Sequence, residues 1–160
     1  MAINAGRVVL GGLVAGAIRT VGDGLTNTFV FASIYREEVG RINPALPSIV
    51  ETTHARAGIV TINFLMGIAL IYLYAAMFPR FGSRTGTAVR AGLIAWAIAS
   101  LVWGVTVFMG FFSWFYLITR ALVSLATVLL AVFAGASLYR DADEARSAKS
   151  ARLSPTASSA

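Results

Sequence analysis

Apolar residues run along this chain in stretches too long, and too continuous around the helix, for a soluble amphipathic element. Four such stretches stand out, at approximately 8–32, 58–78, 88–110 and 115–138. About 20 apolar residues suffice to cross ~30 Å of hydrocarbon at 1.5 Å per residue, so each stretch predicts a transmembrane helix. "FPRFGSR", residues 78–84, punctuates the second and third with Pro79 and Gly82 in a short basic turn. "GFFSWFY", residues 110–116, separates the third and fourth as an aromatic turn at headgroup level, where Trp114 and Tyr116 are favoured. The expected fold is therefore all-α: a polytopic four-helix transmembrane bundle over residues 1–139, with residues 33–57 as the long outer loop.

Polar signals refine these boundaries. In the outer loop Pro47 and Ser48 precede Glu51 at capping-box spacing, which predicts that the second helix starts near Ile49. Residues 140–160 mix both charge signs, turn Ser- and Ala-rich, and offer no apolar face, so a disordered tail is expected there. The opening "MAINAGRVVLGGLVAGA" has the outline of a cleavable leader, but Gly11, Gly12 and Gly16 dilute its apolar core and a further apolar stretch follows Arg19. It is read as a retained first span.

Orientation follows from the basic residues outside the spans, because cytoplasmic segments keep them. Arg7, Arg80, Arg84, Arg90, Arg140, Arg146, Lys149 and Arg152 fall on one side, against Arg36, Arg41 and Arg56 on the other. Both termini are thus expected in the cytoplasm, and the outer arginines are balanced by Glu37, Glu38 and Glu51.

"GLVAGAI" (12–18) and "GLIAWAI" (92–98) agree at five of seven positions, each at the cytoplasmic start of a span. Duplication of a helical hairpin would explain this as a parallel repeat, and chance similarity in apolar sequence explains it equally. Gly12 and Gly16 have the GxxxG spacing that lets helix backbones approach closely in lipid; packing within the bundle accounts for them more simply than a dedicated dimer face. Gly67, Gly104 and Gly135 offer the same use. The opening "RVVLGGLVAG", four spans in one short chain and a glycine at the start of the third span together resemble a broad group of uncharacterised small bacterial four-helix integral membrane proteins. The resemblance is best over the first span. It implies a four-helix fold in the bacterial cytoplasmic (inner) membrane and carries no functional residues; Arg19 and Asp23 depart from what that group leads one to expect.

Composition agrees: 58% hydrophobic and 12% charged residues contrast with about 25% charged in soluble domains. The absence of cysteine excludes disulfides, thiol catalysis, iron–sulfur clusters and thiolate zinc. A net charge of +6 would suit nucleic acid, but the basic residues are scattered singly and never line up beside stacking aromatics, so no nucleic-acid partner is expected. "ETTH", Glu51 to His54, has the Glu-x-x-His spacing of di-iron bundles but lacks the second such motif, so His54 is read as a partly exposed residue at a helix start. No metal or cofactor is expected, and no nucleophile elbow, phosphate loop or paired catalytic carboxylates suggest an enzyme. Trp96 and Trp103, seven apart on one helical face, suit packing, lipid, a pigment or quinone, or a partner's helix.

The charges within the spans need an account, since each is expensive in hydrocarbon, about 2.5 to 3.5 kcal/mol on insertion scales. Gly12, Gly16, Arg19, Asp23 and Asn27 share one face of the first helix, which must look inward. Counting from span centres places Asn63, Thr106 and Arg120 in the same outer layer as Asp23. Asp23 is then the counter-ion of Arg19, Arg120 or both. Three roles compete: a network that only sets helix register, a site for an anionic head group or solute held by two arginines, and a proton-coupled carboxylate. An adjacent arginine opposes the last by favouring the ionised form of Asp23. The functional expectation is a non-enzymatic accessory or structural membrane protein, with membrane lipids, other membrane subunits or a second copy as partners. Solute or ion transport is the alternative.

The predicted topology is open to labelling: Ser83→Cys and Ser154→Cys should be shielded from an impermeant thiol reagent in intact cells, whereas Ser48→Cys should react. Labelling at position 83 from outside would overturn it.

Overall fold

The structure is a computed structural model that describes residues 3–139; the expected polar tail lies outside the described residues. Every regular element within them is a helix: α1 (Ala5–Phe29), α2 (Ala32–Ile42), α3 (Leu46–Val50), α4 (Thr53–Phe81), α5 (Arg84–Phe108) and α6 (Trp114–Leu138). The four long helices, α1, α4, α5 and α6, have 25, 29, 25 and 25 residues and are each apolar enough to cross a membrane. At 1.5 Å per residue they reach about 37 to 44 Å, beyond a hydrocarbon core of ~30 Å. Their outward faces carry Leu101, Phe108, Phe115, Leu122 and Leu130, all more than half exposed. So continuous an apolar surface belongs against lipid.

Local chemistry sets the helix ends. Each long helix starts on a side-chain cap that satisfies an otherwise orphaned N–H: Asn4 accepts from Arg7, Thr52 from Ala55, Ser83 from Gly86 and Ser113 from Tyr116. The capping box expected at Ser48 and Glu51 does not form. Ser48 Oγ donates to the Ala45 carbonyl 2.8 Å away within the short α3, and Thr52 caps α4 instead. Residues 33–57 are accordingly largely helical rather than loop. The first span is shifted three residues from its expected bounds, from 8–32 to Ala5–Phe29: α1 gives way after Phe29, where Val30 N–H and Phe31 N–H both donate to the Thr26 carbonyl, and α2 begins at Ala32. Pro79 lies inside the last turn of α4, where its missing N–H leaves one bond unmade, and the helix ends two residues later at Phe81, capped by Gly82 with φ +66°.

Around the bundle the long helices follow chain order. α1 packs extensively on α4 and α6, α5 packs on α6 and more sparingly on α4, and α1 and α5 take opposite corners. Lipid supplies no hydrophobic drive between helices, so close approach depends on small residues. A Cβ on Gly12 would lie 2.5 Å from Ile68 Cα, and one on Gly16 would lie 2.7 Å from Phe64 Cα, while Gly67 faces back onto Gly12 and Gly16. Between α1 and α6, a Cβ on Gly135 would lie 2.7 Å from the Gly11 carbonyl oxygen. Gly104 serves no such contact: its nearest neighbour is the tip of Leu117 at 4.0 Å.

These contacts gather at one end of the bundle, the end with the α4–α5 turn. Val8, Leu70, Ile71, Tyr74, Ala75, Ala88, Ala91, Val132 and Tyr139 form the core there. Towards the opposite end, which α2 and α3 cap, α4 and α5 bury little, while α1 and α6 stay in contact through Gly22 and Thr127 and through Asn27 and Arg120. Every residue of α4 from 56 to 62 is exposed, and the buried residues of α5 end at Gly92.

Gly12→Ala should therefore lower the unfolding midpoint in detergent, with a loss of about 1 to 3 kcal/mol from overpacking. Gly104→Ala should leave it unchanged or raise it through better helix propensity, by up to about 1 kcal/mol. Equal effects at the two sites would contradict the close approach of α1 and α4.

Candidate binding cleft at the capped end

At this capped end the charged residues of the spans come together. α1 presents Arg19 and Asp23 one turn apart, with side chains only 16% and 23% exposed and a closest N–O distance of 3.9 Å. That is an ion pair without hydrogen-bond geometry. Arg19 Nε is buried with no hydrogen-bond partner, so this guanidinium is only partly satisfied.

Arg120, on α6, is held more tightly. Its Nη1 donates to Asn27 Oδ1 at 2.8 Å and to the Tyr116 hydroxyl at 3.3 Å, and its guanidinium lies 5.1 Å from the centre of the Trp103 ring. A cation over an indole face is attracted by the ring quadrupole. The α1–α6 register explains the choice of Asn27: where Gly22 meets the Thr127 side chain, the two helices are aligned so that Asn27, and not Asp23, stands level with Arg120. Asp23 is therefore paired with Arg19 on its own helix.

Between α1, α5 and α6 lies a small open cleft of about 70 Å³, walled by Arg19, Asp23, Trp96, Trp103, Arg120 and Ser124. A depression of only about 10 Å³ continues between α1 and α6 past Asp23, Asn27 and Thr127. Trp96 fixes one wall, its Nε1 donating to the Ala121 carbonyl at 2.7 Å. An aromatic cluster stands beside Arg120: Phe112 stacks on Tyr116 with centroids 4.9 Å apart, Trp103 lies 5.8 Å from Phe112, and Phe31 meets Tyr116 edge-on at 5.6 Å. From α2, Tyr35 stacks on Phe112 at 6.2 Å. This cluster ties the cap to the bundle.

Other residues of the expected polar layer stand apart. Asn63 is buried where α4 meets Gly16, its Nδ2 without a hydrogen-bond partner, and does not line the cleft. Thr106 donates its hydroxyl to the Trp103 carbonyl at 2.6 Å on its own helix. Conversely, Trp96, Ser100 and Trp103 of α5 and Ser124 of α6 belong to the lining. Their signal was the spacing of polar and indole groups at i, i+4 and i+7 within otherwise aliphatic helices.

In the cap, Arg36 pairs with Glu51 at 3.1 Å, and Arg41 reaches both Glu37 and the buried Glu38 at 3.4 Å. His54 is exposed in the first turn of α4, and among the described residues no group of three or more His, Cys, Asp or Glu comes together. No known protein family, curated protein or solved structure matches the chain.

A double-mutant cycle of Asn27→Ala with Arg120→Gln should show coupling of about 1.5 to 3 kcal/mol in detergent stability, the scale of a charge-assisted hydrogen bond. The cycle of Asp23→Asn with Arg120→Gln should couple more weakly. The reverse order would reassign the partner of Arg120.

Proposed function

We propose that this chain is a small non-enzymatic accessory protein of the bacterial inner membrane, with both termini in the cytoplasm, that is completed sideways by another membrane component. The observation that carries this reading is the unequal packing of the bundle. Glycine contacts lock the α4–α5 turn end, while at the capped end α4 leaves the bundle and contributes nothing to the cleft walls. A protein whose role lies in one stable arrangement with a neighbour needs such an unfilled, laterally open side. The excess of Lys and Arg near the α4–α5 turn and the two chain ends supports the orientation.

Photo-crosslinking side chains placed at Leu65 on α4 or Val102 on α5 should give one discrete adduct in native membranes, and the same group at Leu130 on α6 should not. If no site gave an adduct, and reconstituted vesicles showed solute or proton flux abolished by Asp23→Asn, the accessory reading would give way to transport.

A further inference from the structure

The open cleft has a chemical preference. Its walls hold two arginines and one aspartate, which leaves one net positive charge beneath an apolar surface. Arg19 has no hydrogen bond to Asp23, and its buried Nε has no partner. Arg120 spends one terminal nitrogen on Asn27 and Tyr116, and Trp103 positions its plane. Guanidinium groups so held suit a bidentate oxyanion, and an uncompensated cation within a span is stabilised by acquiring one.

We propose that this cleft binds the anionic head group of a membrane lipid, a phosphate or carboxylate, with Arg19 and Arg120 as its ligands. The inference rests on the membrane placement and lateral opening invoked for the proposed function, and names the chemistry that fills the opening. α4 is the one long helix absent from the walls, so the cleft opens between α4 and α5. The head group enters there from the bilayer. Ile62 and Leu65 on α4, with Ile98 and Val102 on α5, are exposed on the outer surfaces of these two helices and supply apolar surface for acyl chains. Asp23 opposes a second negative charge; it holds Arg19 in place when the cleft is empty and weakens binding when it is filled.

The test uses the full chain, purified in detergent and stripped of lipid, with binding read by native mass spectrometry and by the shift of the unfolding midpoint. Three probes are added separately: phosphatidylglycerol, phosphatidylcholine and inorganic phosphate. Phosphatidylglycerol should bind saturably and raise the midpoint, and the other two should do neither. Arg120→Gln should weaken phosphatidylglycerol binding about tenfold or more, the loss expected for one charge-assisted contact. Arg36→Gln, in the exposed Arg36–Glu51 pair of the cap, should leave it unchanged. Asp23→Asn should strengthen it several-fold although the empty protein becomes less stable, a gain that misfolding cannot produce and that keeps the test decisive if Arg120→Gln fails to fold.

Equal protection by inorganic phosphate would reassign the site to a free anion and overturn the lipid. Equal binding of phosphatidylcholine, or unchanged binding in both Arg120→Gln and Asp23→Asn, would overturn the cleft as an anion site. Lipid binding by a protein that yields no crosslinked neighbour would leave this inference standing and refute the protein-partner form of the accessory reading.

Discussion

The close contact of α1 with α4 is the constraint from which the remaining geometry follows. With lipid tails as apolar as leucine, helices associate in a bilayer through contact quality rather than expulsion of water. Gly12, Gly16 and Gly67 provide that quality by bringing two backbones together, and Gly11 with Gly135 extends it to α6. Because these glycines sit in the half of the bundle that holds the α4–α5 turn, the core of Leu70, Ile71, Tyr74 and Val132 forms there. At the other end α4 and α5 bury little while α1 and α6 stay in contact, and the cleft is the space left beside that pair.

Trp96 sharpens this asymmetry. In the matching segments "GLVAGAI" and "GLIAWAI" the position of Gly16 is taken by Trp96. The first glycine of each segment meets the next long helix of its hairpin, Gly12 against Ile68 and Gly92 against Leu129 and Val132. One turn later the pairs diverge: Gly16 lets Phe64 come close, whereas Trp96 places an indole between α5 and α6 and fastens it to the Ala121 carbonyl. A small residue closes one hairpin and a large one wedges the other, so the polar groups of α1 and α6 remain reachable.

The sequence made the four long helices legible because their signal is composition over 20 residues, which tolerates local errors. It also marked Arg19, Asp23 and Asn27 as one stripe of the first helix that must be turned inward, since lipid penalises charge and unpaired polar groups, and left Arg120 either joined to that layer or reaching to the interface. Pairing was less legible. Depth counted from span centres misses by a turn once helices tilt, which is why Asn27 and not Asp23 meets Arg120 and why Asn63 and Thr106 fall outside the cleft. The cap was missed for a different reason: α2 carries Arg36, Glu37, Glu38 and Arg41 and offers little apolar periodicity, and its place depends on Phe31 and Tyr35 meeting aromatic partners far along the chain. Ser48 and Glu51 had capping-box spacing, but Arg36 takes the Glu51 carboxylate and Thr52 takes the helix start.

The split between a local ion pair and a distant hydrogen bond bears on how the chain is made. Arg120 follows Asn27 by 93 residues, so when α1 leaves the ribosome its eventual contact on α6 does not yet exist. A lone arginine or aspartate on α1 would have to wait, unneutralised, through the synthesis of three further long helices. Arg19 and Asp23, four residues apart on one helix, cancel each other as soon as that helix forms. Only the uncharged Asn27 is left waiting, and an amide waits at far lower cost. The pairing thus lets α1 enter the bilayer well before its partner on α6 exists.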